Sequence, residues 1–258
     1  MERCVTTFAF GPRSDIAEFT FPRIEEYAKE VDADFFVPEE EYFDSFIEKN
    51  LELDWTVPAS VTWLKIPLIS GLLEKYEEVL WVDADVIVSG KGDIFEECPG
   101  FSLCLPVVNS VYGSIANTGV WLTRKPAKNF IDSIKINPDV GKKCKYWNAI
   151  GYDGEMPMVL DALGVDLKEE KIRLPEKDIF SVLPHKFHGT LSDERRMEKD
   201  TVFVHSMGVY FDWLFSEMIN TGVWDLDRYY REVHGTNAPK EAKSKPVKKA
   251  RKRSCCGR

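Results

Sequence analysis

The sequence predicts an α/β protein, a mostly parallel sheet covered by helices, on three observations. An apolar run, Cys4 to Phe10, is followed by a segment of helical period and then by a second apolar run, Ala33 to Val37; this β-α-β order favours parallel pairing. A third apolar run, Val79 to Val82, again follows a helical segment. At 258 residues, 44% hydrophobic and 30% charged, the chain has enough apolar surface for one large soluble domain.

Taken in order, Cys4 to Phe10 reads as a buried strand stopped by Gly11-Pro12. Pro22 suits the first turn of a helix that Arg23 to Val31 continues, with Ile24, Tyr27, Ala28 and Val31 at helical spacing. Ala33 to Val37 is the second strand, ended by Pro38, and an acidic connector spans Glu39 to Glu48. Ser60 is placed to cap a helix in which Trp63, Ile66, Ile69, Leu72 and Leu73 share a face as far as Tyr76, with Pro67 expected to kink or interrupt it. Val79 to Val82 then forms a strand that delivers Asp83-Ala84-Asp85. Further strands are expected at Phe101 to Leu105, Gly119 to Thr123 and Thr201 to Val204, and helices at Ala127 to Ile136, Met156 to Leu163 and Leu226 to Val233. There is no internal repeat. The folded domain is expected to span residues 1–237; residues 238–258 carry almost no large apolar side chain and read as a disordered basic tail.

Charge is segregated. Residues 240–258 hold nine basic side chains against Glu241 alone; of 34 basic and 43 acidic residues in all, the remaining chain keeps 25 and 42. So acidic a body repels phosphates except at a locally basic or metal-filled site, which argues against nucleic acid as a partner. The six cysteines form no disulfide framework and no CxxC metal spacing. Met1-Glu2-Arg3 leads into a short apolar stretch without a cleavage-site pattern, and no run is long enough to cross a bilayer, so a cytoplasmic location is expected.

The strongest chemical signal is Val79 to Val88, an apolar stretch interrupted by Asp83 and Asp85. In extended chain, residues i and i+2 face the same way, so both carboxylates should converge. Like charges converging beside a buried strand cost several kcal/mol unless a cation or donors compensate. All-oxygen ligation suits Mg²⁺ or Mn²⁺. The plain alternative is a solvated turn at a strand end. His205 closes the apolar segment Thr201 to Val204, and imidazole is a suitable third ligand for Mn²⁺; a lone histidine at a strand end is otherwise structural or exposed. His185 and His188 are read as surface histidines.

Trp63-Leu64-Lys65-Ile66-Pro67-Leu68, followed by Tyr76 to Asp85, resembles the signature of GT-A-fold glycosyltransferases, where a helix leads to a strand ending in a DxD metal motif. Asn117-Thr118-Gly119-Val120-Trp121-Leu122 is similar to the strand lining the family's sugar pocket, and His205-Ser206-Met207-Gly208 to its late His-x-x-Gly. The likeness covers roughly Met1 to Tyr230 and points to the glycogenin-like and galactosyltransferase-like branches. It implies a GT-A fold with a mostly parallel mixed central sheet and helices on both faces. It also implies transfer of a sugar from a UDP- or GDP-sugar, UDP favoured, to a hydroxyl on a glycan, protein or lipid. The implied ligands of Mn²⁺ or Mg²⁺ are Asp83, Asp85 and His205. Donor contacts are expected from backbone groups of Thr6, Thr7, Phe8 and Ala9 in the first strand, from Lys65, Asp83 and Ala84, and from Asn117, Gly119 and Gly208. For Lys65 a solvated helix face is the competing reading. Asp153 and Glu155, in a Gly-containing loop, are candidates for the general base if transfer inverts the sugar or for positioning the sugar if it retains, with helix capping by Asp153 as the structural alternative. Trp147, Tyr152, Tyr210 and Trp213 could stack on sugar faces, although aromatics are core residues by default.

Two other readings stand beside this one. A sugar-phosphate nucleotidyltransferase has a related layered architecture, but near the first strand there is only Gly11-Pro12-Arg13 in place of a Gly-rich triphosphate loop. A non-catalytic nucleotide-sugar or glycan-binding module tethered by its tail is the other. The tail joins a basic cluster, Lys248 to Arg253, to Cys255 and Cys256, the pairing of charge and lipidation that gives peripheral membrane contact; a solvated tail, a nuclear-localisation signal and an acidic-partner site fit the same residues.

Overall fold

The computed structural model describes residues 2–10, 14–55, 60–110, 113–144, 147–148, 154–169, 172–174, 179–190 and 200–205, all within the compact unit Met1–Ser216. The expected domain end near residue 237, the helix at 226–233 and the tail lie outside the described residues.

A six-stranded sheet runs in the order β2-β1-β3-β8-β5-β9, with β1 Arg3–Thr6, β2 Asp34–Phe36, β3 Glu78–Val82, β5 Leu103–Leu105, β8 Val120–Arg124 and β9 Phe180–Val182. β1 is parallel to β2 and β3, and β5 to β9, while β8 is antiparallel to both β3 and β5, so the sheet is mixed with parallel pairs in the majority. A smaller sheet, β10-β11-β4, is built from β4 Val86–Val88, β10 Gly189–Thr190 and β11 Phe203–His205, and β6 Val107–Ser110 with β7 Gly113–Ala116 makes a hairpin.

Alternation along the strands feeds two cores. Cys4, Val79, Trp81, Leu103, Leu105 and Trp121 face one side; Val5, Leu80, Val82, Cys104, Val120 and Leu122 face the other. Helices cover both: α4 Lys65–Lys75 with α6 Lys128–Ser133 and α8 Met156–Ala162 on the first, and α1 Ala17–Glu30 with the short α5 Ile94–Glu97 on the second. A buried side chain the size of Leu or Ile is worth roughly 1.5–3 kcal/mol, so these two layers are what hold the sheet's shape. Trp147 is fully buried in the first core, which corrects its reading as a sugar-stacking residue; Tyr152, Tyr210 and Trp213 lie outside the described residues.

Several elements depart from the sequence expectation for local reasons. The first strand ends at Thr6 rather than Phe10, leaving Thr7 to Phe10 as a loop beyond the sheet. α1 begins at Ala17, so Pro22 sits inside it. There Pro22 and Glu18 are both exposed, and the Glu18 carbonyl that loses its intrahelical donor is free to bond water. The long helix breaks before Pro67, at Leu64: α3 Ser60–Trp63 stops where Pro67 cannot donate to the Trp63 carbonyl, and Pro67 itself occupies the first turn of α4, where no amide is needed. Ser60 is the first residue of α3, and its hydroxyl donates to the Trp55 carbonyl at 3.0 Å. The four described cysteines are free and buried, and no described helix is long and apolar enough to cross a membrane.

Candidate metal centre

Strand pairing brings four distant segments to one corner. β1 parallel to β3, with Thr6 beside Trp81, carries the loop Thr7–Phe10 past the end of β3. β8 starts opposite Val82, and the Asp83 amide donates to the Gly119 carbonyl at 2.7 Å. β11 pairs with β4 so that His205 lies opposite Val86, one residue beyond Asp85. The aspartates are therefore not in extended chain: Asp83–Asp85 is the turn linking β3 of the large sheet to β4 of the small one, closed by the Val86 amide on the Asp83 carbonyl at 3.0 Å. Their convergence comes from this turn, not from strand alternation.

One ligand atom from each of Asp83, Asp85 and His205 lies within 4.8 Å of the others. His205 Nε2 is 3.3 Å from Asp85 Oδ1 and 3.9 Å from Asp83 Oδ2. The other oxygen of Asp83 is already committed, accepting from Trp81 Nε1 at 2.7 Å and pairing with Lys65 Nζ at 2.6 Å. That division turns Oδ2 toward the cluster.

Lys65, which the sequence left between a ligand contact and a solvated face, is only 4% exposed. It bridges Asp83 and Glu155, at 2.5 Å from the latter, and lies over the Trp81 ring. Glu155 is fully buried and also accepts from the Thr118 hydroxyl. Burial raises the cost of its charge, but Lys65, Thr118 and Thr62 outweigh that and hold the carboxyl below its ordinary range, which makes it a poor proton acceptor. Burial likewise opposes the charge of Lys65, yet Asp83 and Glu155 raise its affinity for the proton.

Among the described residues, three carboxylates against one ammonium leave two negative charges when His205 is neutral. Asp83 answers by moving up, through burial and the nearby Asp85 against the pull of Lys65. Asp85 moves down because His205 outweighs its burial, and the His205 imidazole moves up because Asp85 and Asp83 outweigh its own. Two carboxylate oxygens, one imidazole nitrogen and a double negative charge fit a divalent cation such as Mn²⁺ or Mg²⁺.

The remaining expected contacts divide into two groups. Phe8, Ala9, Lys65, Asp83, Ala84 and Asp85 line an open cleft of about 230 Å³, together with Phe10, Ile16, Val61, Thr62 and Trp81. Thr6 and Thr7 are buried beneath it, Thr6 donating to the Phe36 carbonyl at 2.8 Å. Asn117 and Gly119 shape the corner from behind: the Asn117 side chain accepts from the Gly119 amide at 2.7 Å, and a methyl group on Gly119 would overlap the His205 ring. Gly208 and Asp153 lie outside the described residues.

One participant escaped the sequence reading. His185 is exposed as expected, but His188 is fully buried, its Nε2 3.2 Å from His205 Nδ1, which corrects its assignment to the surface. A histidine immediately before a short strand carries no such signal; only the pairing of β10 with β11 reveals it.

A scan against protein-family models finds no match, and neither does a search of curated proteins. Solved structures do match. A glycosyltransferase involved in glycosylation of the major capsid of PBCV-1 is 19% identical with a TM-score of 0.56, covering 86% of this chain and all of that one. Mouse xyloside xylosyltransferase 1 is 13% identical with a TM-score of 0.50, covering 81% of this chain and 98% of that one. With the mixed six-stranded sheet and its helical layers, they show that this chain has the GT-A glycosyltransferase fold.

Proposed function

We propose that this chain is a metal-dependent glycosyltransferase that moves a sugar from a nucleoside-diphosphate sugar, UDP-linked by preference, to a hydroxyl of a glycan, protein or lipid. The observation that carries the reading is the convergence of Asp83, Asp85 and His205 beside a cleft where the described residues leave two negative charges in excess. Asp83, Asp85 and His205 would hold Mn²⁺ or Mg²⁺, which when bound stabilises the negative charge that develops on the departing diphosphate.

The chain's own residues orient the reactants. Trp81 and Lys65 pin one oxygen of Asp83, so the other is aimed before any ligand arrives. Phe8, Phe10, Ile16 and Val61 give the cleft apolar wall against which a base and ribose can lie. At about 230 Å³ the cleft is below the roughly 300–1,000 Å³ of pockets that enclose whole drug-sized ligands, which suits a grip on one part of the donor. Glu155 is a positioning residue in this scheme, holding Lys65 upright with Thr118, and Asp153 is the remaining candidate for the base of an inverting transfer. Gly208 contributes to diphosphate binding. The basic tail with Cys255 and Cys256 makes the peripheral membrane contact.

A thermal-shift screen of nucleotide sugars with and without Mn²⁺ tests the assignment, followed by calorimetry of the best donor's nucleotide. Stabilisation only when nucleotide and metal are both present is expected. Binding that is indifferent to Mn²⁺, and unchanged in Asp85→Ala, would overturn it.

A further inference from the structure

The two nitrogens of His205 face different ways, and both are buried. Nε2 points at Asp85 and Asp83, while Nδ1 lies 3.2 Å from Nε2 of His188, with the two rings nearly perpendicular at 80°. An imidazole offers a lone pair to a cation from one nitrogen only if its proton sits on the other, and a buried N–H needs an acceptor. Here the group within hydrogen-bonding distance of Nδ1 is a second imidazole, which donates or accepts according to its tautomer.

We propose that His188 is a positioning residue, which accepts the Nδ1 proton of His205 and so keeps Nε2 of His205 presented to the metal. The inference rests on the metal reading of Asp83, Asp85 and His205 given above. Three features of the fold hold the pair in place. β10 runs parallel to β11 with Thr190 beside His205 and Gly189 beside Val204, so His188 enters the small sheet one residue before its strand, next to the ligand it supports. The short turn His185–Phe187 leads into it, anchored by the buried Phe187 and by the Val202 amide on the Lys186 carbonyl at 2.7 Å. Gly119 leaves no Cβ, and the Nδ1–Cε1 edge of the His205 ring occupies that space, packed against the backbone beside its contact with His188.

The chemistry of the acceptor also fits. Histidine ligands commonly donate their second N–H to a carboxylate or a carbonyl. A carboxylate at position 188 would add a fourth negative charge to a corner that already holds Asp83, Asp85 and Glu155 against Lys65. A neutral imidazole accepts the same bond without that charge.

The test uses the full chain in three forms, wild type, H188L and H188Q. Leucine fills space without accepting, whereas the glutamine carboxamide oxygen can stand where Nε2 stood. Long-range ¹H–¹⁵N spectra of the metal-free proteins, taken at a pH high enough for neutral imidazole, report the His205 tautomer. Mn²⁺ alone is then titrated, followed by broadening of the His205 ring resonances. The proposal expects a single Nδ1–H tautomer in wild type and H188Q and a mixture in H188L, with Mn²⁺ affinity in H188L about 10- to 100-fold weaker and largely restored in H188Q. An H188L protein with the wild-type tautomer and wild-type Mn²⁺ affinity overturns it, as does an H188Q protein as weak as H188L. If wild-type His205 is not broadened by Mn²⁺ at all, the metal reading itself fails, a result distinct from the others. Should H188L not fold, H188N replaces it, because its amide stops one bond short of the His205 ring.

Discussion

Strand β3 has carboxylates at both ends, buried at its start and partly buried beyond its finish, and the two ends treat them differently. At its start, Glu78 is clamped by Arg3 Nε at 3.2 Å and Arg124 Nε at 2.6 Å. The remaining donors of those arginines reach Asp93, Glu96 and the carbonyls of Val31, Phe101 and Phe95. Beyond its other end, among the described residues, Asp83 and Glu155 share Lys65 while Asp85 faces His205. The same strand thus ends once in a closed ion network and once in an open one. Buried charge with matched partners holds a fold together; buried charge left short of partners is a place for a ligand.

The comparison breaks most visibly if the open end is not a metal site. Asp85→Asn is expected to cost on the order of a thousandfold in the rate of donor-sugar hydrolysis, the several kcal/mol that leaving-group stabilisation is worth. Its thermal midpoint in the absence of metal should fall modestly, because the carboxylate that pairs with His205 at 3.3 Å is gone. A variant that hydrolyses donor at the wild-type rate would put both ends of β3 in the same structural class.

Glu78→Gln tests the closed end. Breaking a buried ion pair from one side typically costs about 3–5 kcal/mol, read here by denaturant unfolding, while Mn²⁺ affinity should stay at the wild-type value. An equal loss of metal affinity would mean that the two ends are coupled through the strand.

Trp81→Phe sharpens the picture at the open end. It deletes the donor to Asp83 Oδ1 but keeps most of the buried ring, so a loss of about 1 kcal/mol is expected. That loss should appear in Mn²⁺-dependent nucleotide binding by calorimetry as well as in stability; an effect on stability alone would show that Lys65 suffices to orient Asp83.

The smallest effect is on pH dependence. The pKa of His205 is raised in the folded chain, so the stability it contributes without metal is complete below the ordinary 6.5 and fades as pH rises through the elevated value. Mn²⁺ competes for the same nitrogen, so metal affinity should climb as that stability fades. The pKa of Glu155 is lowered, and its contribution is present above the ordinary 4.5 and lost only as pH falls through the depressed value. Melting curves across pH with and without Mn²⁺ check both signs.

Much of the site could be read along the chain because its residues interrupt local patterns. Asp83 and Asp85 break an apolar run, His205 ends one, and Asn117-Thr118-Gly119 precedes another. Lys65 was visible but ambiguous, since one lysine on an amphipathic helix looks the same whether it faces water or a buried acid. The burial of Glu155 and the placement of His188 were not legible at all. Each depends on a partner 90 or 17 residues away, and neither interrupts a hydrophobic period.

The sequence by itself determined the alternation of strands and helices, the apolar faces and the identity of the acids at the end of β3, because these follow from spacing and propensity within a few residues. The tertiary structure alone decided that the acids meet in a turn, that β8 runs antiparallel beside them, that Lys65 is held by Asp83 and Glu155, and that His188 backs His205. Strand register between distant segments is set by packing of whole faces, and the charge balance of a buried corner is the sum over every element that reaches it, so neither quantity is carried by any one stretch of chain.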